Sequence, residues 1–187
     1  MKRILSALGL LAGVVVRVVF LALAVALPVY LFLANFGFFE PYLYPLHLLQ
    51  GNVRHATKNV LVGPYPDSAL LEDLHDRGYN IVVSLLDKHL IYEWSLINKE
   101  DAYAHTLGVT EYNFPMISTQ APTSTVNRKA LAEIRMLVHK YPNWKIYVHC
   151  YLGKHRAGVV AAMLRKASPS KLPMVTSLTV RQLKPTG

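Results

Sequence analysis

The stretch His149-Cys150-Tyr151-Leu152-Gly153-Lys154-His155-Arg156 sets a thiol, a glycine and a guanidinium at fixed spacing in a chain of 187 residues. An alternating apolar run with Ile146 and Val148 leads into it, and an apolar run rich in small residues follows. That pattern reads as a buried strand, a tight loop, and a helix whose first turn points its free N–H groups back at the loop. Backbone donors and the helix dipole make such a loop an anion site. The same field favours the thiolate of Cys150, the form that acts as a nucleophile. Arg156 offers a planar fork for two oxygens of a phosphoryl group. Gly153 permits the torsion that a ring of inward N–H groups needs. The chemistry written here is attack of sulfur on phosphorus. Cys150 is the only cysteine, so no intrachain disulfide can form and no second thiol protects it. The eight histidines are scattered rather than paired at metal spacing, so no metal and no cofactor are expected.

The spacing His149-Cys150-x-x-Gly153-x-x-Arg156 resembles the signature of the cysteine-dependent protein tyrosine and dual-specificity phosphatases. Within them, Gly153-Lys154-His155-Arg156 is most similar to the atypical plant and fungal dual-specificity enzymes, which act on inositol pyrophosphates. The resemblance covers roughly residues 58–167 and is specific only at the loop. It implies a two-step reaction: Cys150 takes the phosphoryl group, and water then hydrolyses the cysteinyl-phosphate. Tyr151, Leu152, Gly153, Lys154 and His155 would form the phosphate loop, with Arg156 stabilising the transferring group. His149 would order the loop by hydrogen bonds and help keep Cys150 ionised, while Lys154 and His155 add charge at the rim. Two positions depart from the family pattern. An aspartate general acid is usual on a loop about thirty residues before the cysteine, where this chain reads Phe114–Thr123 with Ser118 at the expected place. The general acid is therefore unidentified, with Asp87, Asp101 and Glu111 as substitutes if the fold delivers one. A hydroxyl residue usually follows the arginine, and Ala157 stands there instead.

The elements that must hold this loop are legible in the intervening chain. Asn59–Gly63 reads as a strand, Gly63–Asp67 as a turn, and Asp67 or Ser68 as the cap of a helix running to about Arg77 and stopped by Gly78. Ile81–Leu86 is a continuous apolar run, as in a central strand. Residues 91–107 suit a helix closing at Gly108, and Thr110–Phe114 a short strand. Val126, Ala130, Leu131, Ile134, Leu137 and Val138 mark one face of a helix from Thr125 to near Pro142. This order predicts a single α/β phosphatase-type domain, residues 58–187, with a mainly parallel central sheet flanked by helices. The site should lie beyond the carboxyl end of the last strand. Ser168–Pro173 breaks the final helix, and residues 174–187 leave room for a short one.

Ahead of this domain, Met1-Lys2-Arg3 is a basic head and residues 4–39 are almost wholly apolar. Those 36 residues would span about 54 Å as one helix, against a hydrocarbon core of about 30 Å. One crossing follows, Val18 to Phe38, with Ile4–Val16 in the interface or in a tilted, longer helix. A cleavable signal peptide is the rival reading, since Leu21–Ala26 offers small residues. The aromatic continuation through Tyr30, Phe32, Phe36, Phe38 and Phe39 favours a retained anchor, and Tyr42 and Tyr44 suit an interface belt. Residues 1–39 are thus a basic head and membrane anchor, and residues 40–57, with Pro41 and Pro45, a juxtamembrane linker. Lys2, Arg3 and Arg17 precede the span, which places the N-terminus inside and the catalytic domain outside.

The chain is 52% hydrophobic with formal charge +9. Glu133 is its last acidic residue, and ten basic residues follow from Arg135 to Lys184. This asymmetry suits an anionic substrate or lipid surface. No nucleic-acid motif accompanies the charge, so nucleic acid is not an expected partner. Two function classes stand. One is a membrane-anchored phosphatase for a phosphoprotein, a phosphoinositide-like molecule or a phospholipid headgroup; the other is a pseudophosphatase that binds a phosphorylated partner. An outward-facing domain disfavours inositol pyrophosphates.

Overall fold

The computed structural model describes residues 2–167, with side chains described from residue 13 onward. The room for a short helix at 174–187 lies outside the described residues. In chain order the elements are α1 (Lys2–Ala34), α2 (Phe36–Phe39), a 3-10 turn (Glu40–Tyr42), α3 (Tyr44–His47), β1 (Arg54–His55), β2 (Val60–Gly63) and α4 (Ser68–Asp76). There follow β3 (Tyr79–Ser84), α5 (Ile91–Leu107), β4 (Thr110–Asn113), α6 (Thr125–Lys140), β5 (Lys145–His149) and α7 (His155–Ala167).

The five strands lie in the order β1-β2-β5-β3-β4. β2, β5, β3 and β4 run parallel, and only the two-residue β1 pairs antiparallel, at the edge. The mainly parallel α/β sheet expected from the sequence is what forms. β5, last in sequence, is central in space: His149 is paired with Gly63 on one side and Ser84 on the other. Its apolar alternation splits the core. Ile146 and Val148 pack under α6 and α7 with Ile134, Ala157 and Val160. Tyr147 packs on the opposite face with Leu71, Leu74, Val82 and Ala104 of α4, β3 and α5.

The local signals for helix ends act as read. Asp67 accepts from the Leu70 N–H at 2.8 Å and caps α4. Gly78 and Gly108 take φ of +83° and +70°, and Gly108 ends α5 in the left-handed conformation. β3 spans Tyr79–Ser84 rather than Ile81–Leu86: Leu85 keeps one bond to β5, from its N–H to the His149 oxygen, and Leu85 and Leu86 then run on as buried chain toward the site.

The N-terminal apolar helix also differs from its expected bounds. Among the residues whose side chains are described, Gly13–Ala34 is long and apolar enough to cross a membrane, and the helix breaks at Asn35 rather than running to Phe38. The cause is packing: Phe36 and Gly37 are buried, and α2 and the end of α1 rest on α5. Residues 40–57, expected as a linker, carry the buried Glu40 and Val53 and the edge strand β1.

Candidate active site

Cys150 follows the last residue of β5 and is buried, 3% exposed. The loop it opens is defined by where its carbonyls go. The His149 oxygen accepts from Leu85 N–H at 2.9 Å, the Tyr151 oxygen from Tyr65 N–H at 3.1 Å, and the Leu152 oxygen from Gly51 N–H at 2.7 Å. Arg54 Nη1 donates to the Gly153 oxygen at 2.9 Å. With the carbonyls tied outward, the N–H groups of Tyr151, Leu152 and Lys154 are left without any partner among the described residues; only Gly153 N–H turns back, to the Cys150 oxygen at 3.2 Å. The first-turn N–H groups of α7 join them, since a helix start has no internal acceptor for these. The result is a concave set of donors behind one sulfur, which is an anion cradle. Gly153 is obligatory at φ +69°, because a Cβ there would overlap the backbone of Gly63 and Pro64.

Arg156 is almost wholly buried, 8% exposed. Its Nη1 donates to the Leu85 oxygen at 3.0 Å, the Met116 oxygen at 3.2 Å and Glu93 Oε2 at 3.0 Å. Its Nη2 donates to Glu93 Oε1 at 2.5 Å. Burial disfavours the guanidinium charge, but the bonds and charge of Glu93 outweigh it and hold its pKa above the ordinary value. These contacts leave Nε–H and one Nη2 hydrogen unclaimed, and that edge is the fork suited to two phosphoryl oxygens. Glu93 Oε2 also accepts from Asp87 N–H at 2.5 Å, which joins the β3–α5 loop to the same pair.

His149, expected to order the loop and help keep Cys150 ionised, has its ring beneath the loop. Its ring is fully buried on the α5 side, stacked on Tyr147 with centroids 5.9 Å apart and edge-on to Tyr65. Nε2 lies 2.7 Å from Glu100 Oε1, yet out of line, so that neither ring nitrogen and neither Glu100 oxygen has a hydrogen-bond partner among the described residues. Burial, then the charge of Arg156, push the His149 pKa down to about 3. That direction favours the neutral ring, which makes no hydrogen bond to the loop among the described residues. Its contribution is packing beneath the loop.

The 114–123 loop, where the resemblance implies an acid and this chain has none, lies against Arg156. Met116 touches Arg156, and Asn127, buried at the start of α6, clamps the loop through Ile117, Gln120 and Ala121. Ser118 is exposed on it. Of the three substitute acids, only Asp87 lies on a loop at the site end of the sheet, and its Oδ1 accepts from His89 N–H at 3.0 Å. Asp101 is exposed on α5, and Glu111 sits within β4, paired in register with Val82. Burial first, then Glu100 and Asp101, raise the Glu111 pKa to about 9. Lys154 and His155 are exposed at the rim, and Ala157 is fully buried in the cluster that holds Cys150. Among the described residues no group of His, Cys, Asp and Glu is arranged to hold a metal ion.

Sequence reasoning missed Glu93, Glu100 and Arg54. The two glutamates share one stripe of α5 with Leu96 and Ala104 at spacings of three, four and four. Such a stripe shows only if a glutamate is allowed to face inward. Arg54 gave no signal.

No protein-family model and no curated protein matches the sequence. Solved structures do. The core catalytic domain of the PP-IP phosphatase Siw14 from S. cerevisiae is 20% identical at a TM-score of 0.51, over 63% of this chain and 66% of that one. A DUF442 candidate phosphatase from Shewanella putrefaciens CN-32 is 13% identical at 0.51, over 61% and 70%. The fold is that of the cysteine-dependent phosphatases. In that fold the loop from β5 to α7 is where Cys150, the donor ring and Arg156 meet, and each is placed here by this chain's own contacts.

Proposed function

We propose that the protein is a cysteine-dependent phosphatase for phosphoric monoesters, of protein tyrosine or dual-specificity type, held to a membrane by α1 in a single crossing with its catalytic domain outside. The observation that carries the reading is the donor ring around Cys150: three loop N–H groups without partners among the described residues, beside carbonyls of His149, Tyr151, Leu152 and Gly153 tied elsewhere. Half-buried and exposed backbone donors converging behind a nucleophile in this way, at the start of a helix, suit an anion. Arg156, fixed by Glu93, adds the charge that the equatorial oxygens gain in the transition state. Cys150 sulfur attacks phosphorus, the ester oxygen departs, and water then breaks the S–P bond. The substrate classes in view are a phosphorylated protein, an inositol phosphate and a phospholipid headgroup.

The absence of a carboxylate from residues 114–123 favours a second reading, a pseudophosphatase that binds a phosphorylated partner at the membrane. Phosphate release from an aryl phosphate by full-length protein in detergent separates them. The enzyme reading expects release that Cys150→Ser abolishes; equal rates from both proteins leave the binding reading.

A further inference from the structure

Phe32, near the end of α1, begins a run of rings that leaves the apolar helix without a break. Its ring lies 5.2 Å from that of Phe39; Phe39 lies 5.2 Å from Phe38, and Phe38 lies 6.4 Å from Tyr42. Phe38 is 69% exposed and Tyr42 76%, and the run continues in sequence through Tyr44, Leu48 and Leu49, all exposed. Exposed apolar side chains gathered in so short a segment call for a cover. Aromatic rings at the end of an apolar span find one at the headgroup level of the bilayer.

The same segment is no loose tether. Phe36 stands between Phe32 and Tyr151, with its ring 5.9 Å from each. Gly37 N–H donates to Ser95 Oγ at 2.9 Å, and Lys99 Nζ donates to the Gly37 oxygen at 2.8 Å. Past the rings, Gly51 and Arg54 hold two carbonyls of the phosphate loop. One side of residues 36–54 therefore offers apolar rings, and the other grips the loop of the nucleophile. Two ring-to-ring steps separate the apolar helix from the residue after Cys150.

The site itself limits the leaving group. No carboxylate stands on the 114–123 loop, so a basic alkoxide would depart without a proton, at a cost of about 10²–10⁴ in rate. A leaving phosphate needs none.

We infer that residues 38–49 lie in the headgroup layer of the bilayer that α1 crosses, and that the loop held there takes a membrane lipid ending in a diphosphate. The inference rests on the phosphatase reading and on retention of α1. Cys150 sulfur bonds to the terminal phosphorus as the anhydride P–O bond breaks, and the lipid monophosphate leaves as an anion with the bridging oxygen. Water then attacks, the S–P bond breaks, and inorganic phosphate and the thiolate are returned. Arg54 and Lys154 set positive charge beside the loop, where the second phosphate would lie.

The test uses full-length protein in phosphatidylcholine vesicles. Diacylglycerol diphosphate should be cleaved about a hundredfold faster than phosphatidate, which differs only in its alkyl leaving group. It should also outpace dimethylallyl diphosphate in solution, and a phosphotyrosyl peptide. The double variant Leu48→Asp, Leu49→Asp should lower cleavage of the vesicle lipid about tenfold while leaving aryl phosphate cleavage unchanged. Equal rates on phosphatidate, preference for the soluble diphosphate or the peptide, or an unchanged ratio in the double variant would each overturn the inference. Placement is tested without activity. In the Cys150→Ser chain, which has no other cysteine, a spin label at Leu48→Cys should be shielded from a water-soluble nickel chelate by the bilayer. A label at Lys129→Cys, on α6 across the sheet, should not. A Leu48 label equally open to the chelate, or shielded only as copies of the chain or another protein associate, rejects the placement. Failure of Cys150→Ser to change aryl phosphate cleavage would instead reject the phosphatase reading, with the placement decided separately by the label.

Discussion

The bonds of Arg156 explain why a buried guanidinium is tolerated: Glu93 neutralises one edge through both nitrogens, and two carbonyls share the remaining Nη1 hydrogen. What the site lacks is as specific as what it has. Ser118 cannot donate a proton as a carboxylic acid does, so rates should depend steeply on leaving-group pKa. Aryl phosphates of acidic phenols should be cleaved far faster than alkyl phosphates, and Ser118→Asp should help mainly the poor leaving groups. A flat dependence across a phenol series would point to Asp87, the one substitute acid at the site end of the sheet. Ala157, fully buried with Cys150, offers no hydroxyl to the sulfur when the cysteinyl-phosphate breaks down. A hydrogen bond to a charged group contributes roughly 1.5–3 kcal/mol, or about ten- to a hundredfold in rate. The second step should therefore limit turnover, with a burst of leaving group and a phosphorylated intermediate trapped by acid. Ala157→Ser should raise steady-state turnover about tenfold and change the burst rate less. Unchanged turnover with no trapped intermediate would show that attack limits the rate or that another donor serves the sulfur.

α5 carries a burden that its pattern conceals. Its buried stripe puts Glu93 against Arg156, and Glu100 against His149. Burial, with Asp101 adding to it, raises the Glu100 pKa well above the carboxylate range, and Glu111 of β4 beside it is raised to about 9. The folded chain therefore keeps protons that the unfolded chain gives up above pH 4.5. The stabilisation from Glu111 is full below that pH and is lost as pH rises toward about 9. His149 acts in the other window: neutral when folded, it costs stability as pH falls from 6.5 toward about 3. Above pH 6.5 the histidine is silent and the glutamates set the slope. Thermal unfolding in detergent should show stability falling from pH 6.5 to 9, and Glu111→Gln should flatten that decline. A variant with the wild-type slope would show that Glu111 ionises normally in the folded protein.

At the scale of the molecule, the apolar helix and the phosphate loop belong to one packed body, joined through Phe36 between Tyr92 and Tyr151. Full-length protein should resist extraction by high salt and by carbonate; release by salt alone would show α1 cleaved or peripheral. The soluble fragment should begin at Asn35 rather than Glu40. Cutting at Glu40 removes the buried Phe36 ring, whose loss from a core costs about 3 kcal/mol. That corresponds to a melting temperature lower by on the order of 10 °C for a domain of this size. Weaker aryl phosphate cleavage should accompany it, since the ring braces Tyr151. Equal melting temperatures for the two fragments would mean that the segment only rests on the domain.

Local chemistry was enough for much of this. The thiol-to-guanidinium spacing in a strand-loop-helix context located Cys150, Gly153 and Arg156. Gly78, Gly108 and Asp67 marked helix ends, because caps depend on a few neighbouring torsions and bonds. The continuous apolar run from Ile81 and the alternation of Ile146 and Val148 placed two strands, because a strand covered on both faces is apolar throughout and side chains on a pleat alternate whatever lies above them. Tertiary structure decided the rest. It brought the last strand to the middle of the sheet, turned Glu93 and Glu100 inward, drew Phe36 out of the apolar helix, and made Gly51 and Arg54 part of the loop. It also buried His149, whose charge depends on burial rather than on its neighbour in sequence. These outcomes depend on partners tens of residues away: a glutamate faces the core only where a distant arginine meets it, and nothing in the nearby chain records that meeting.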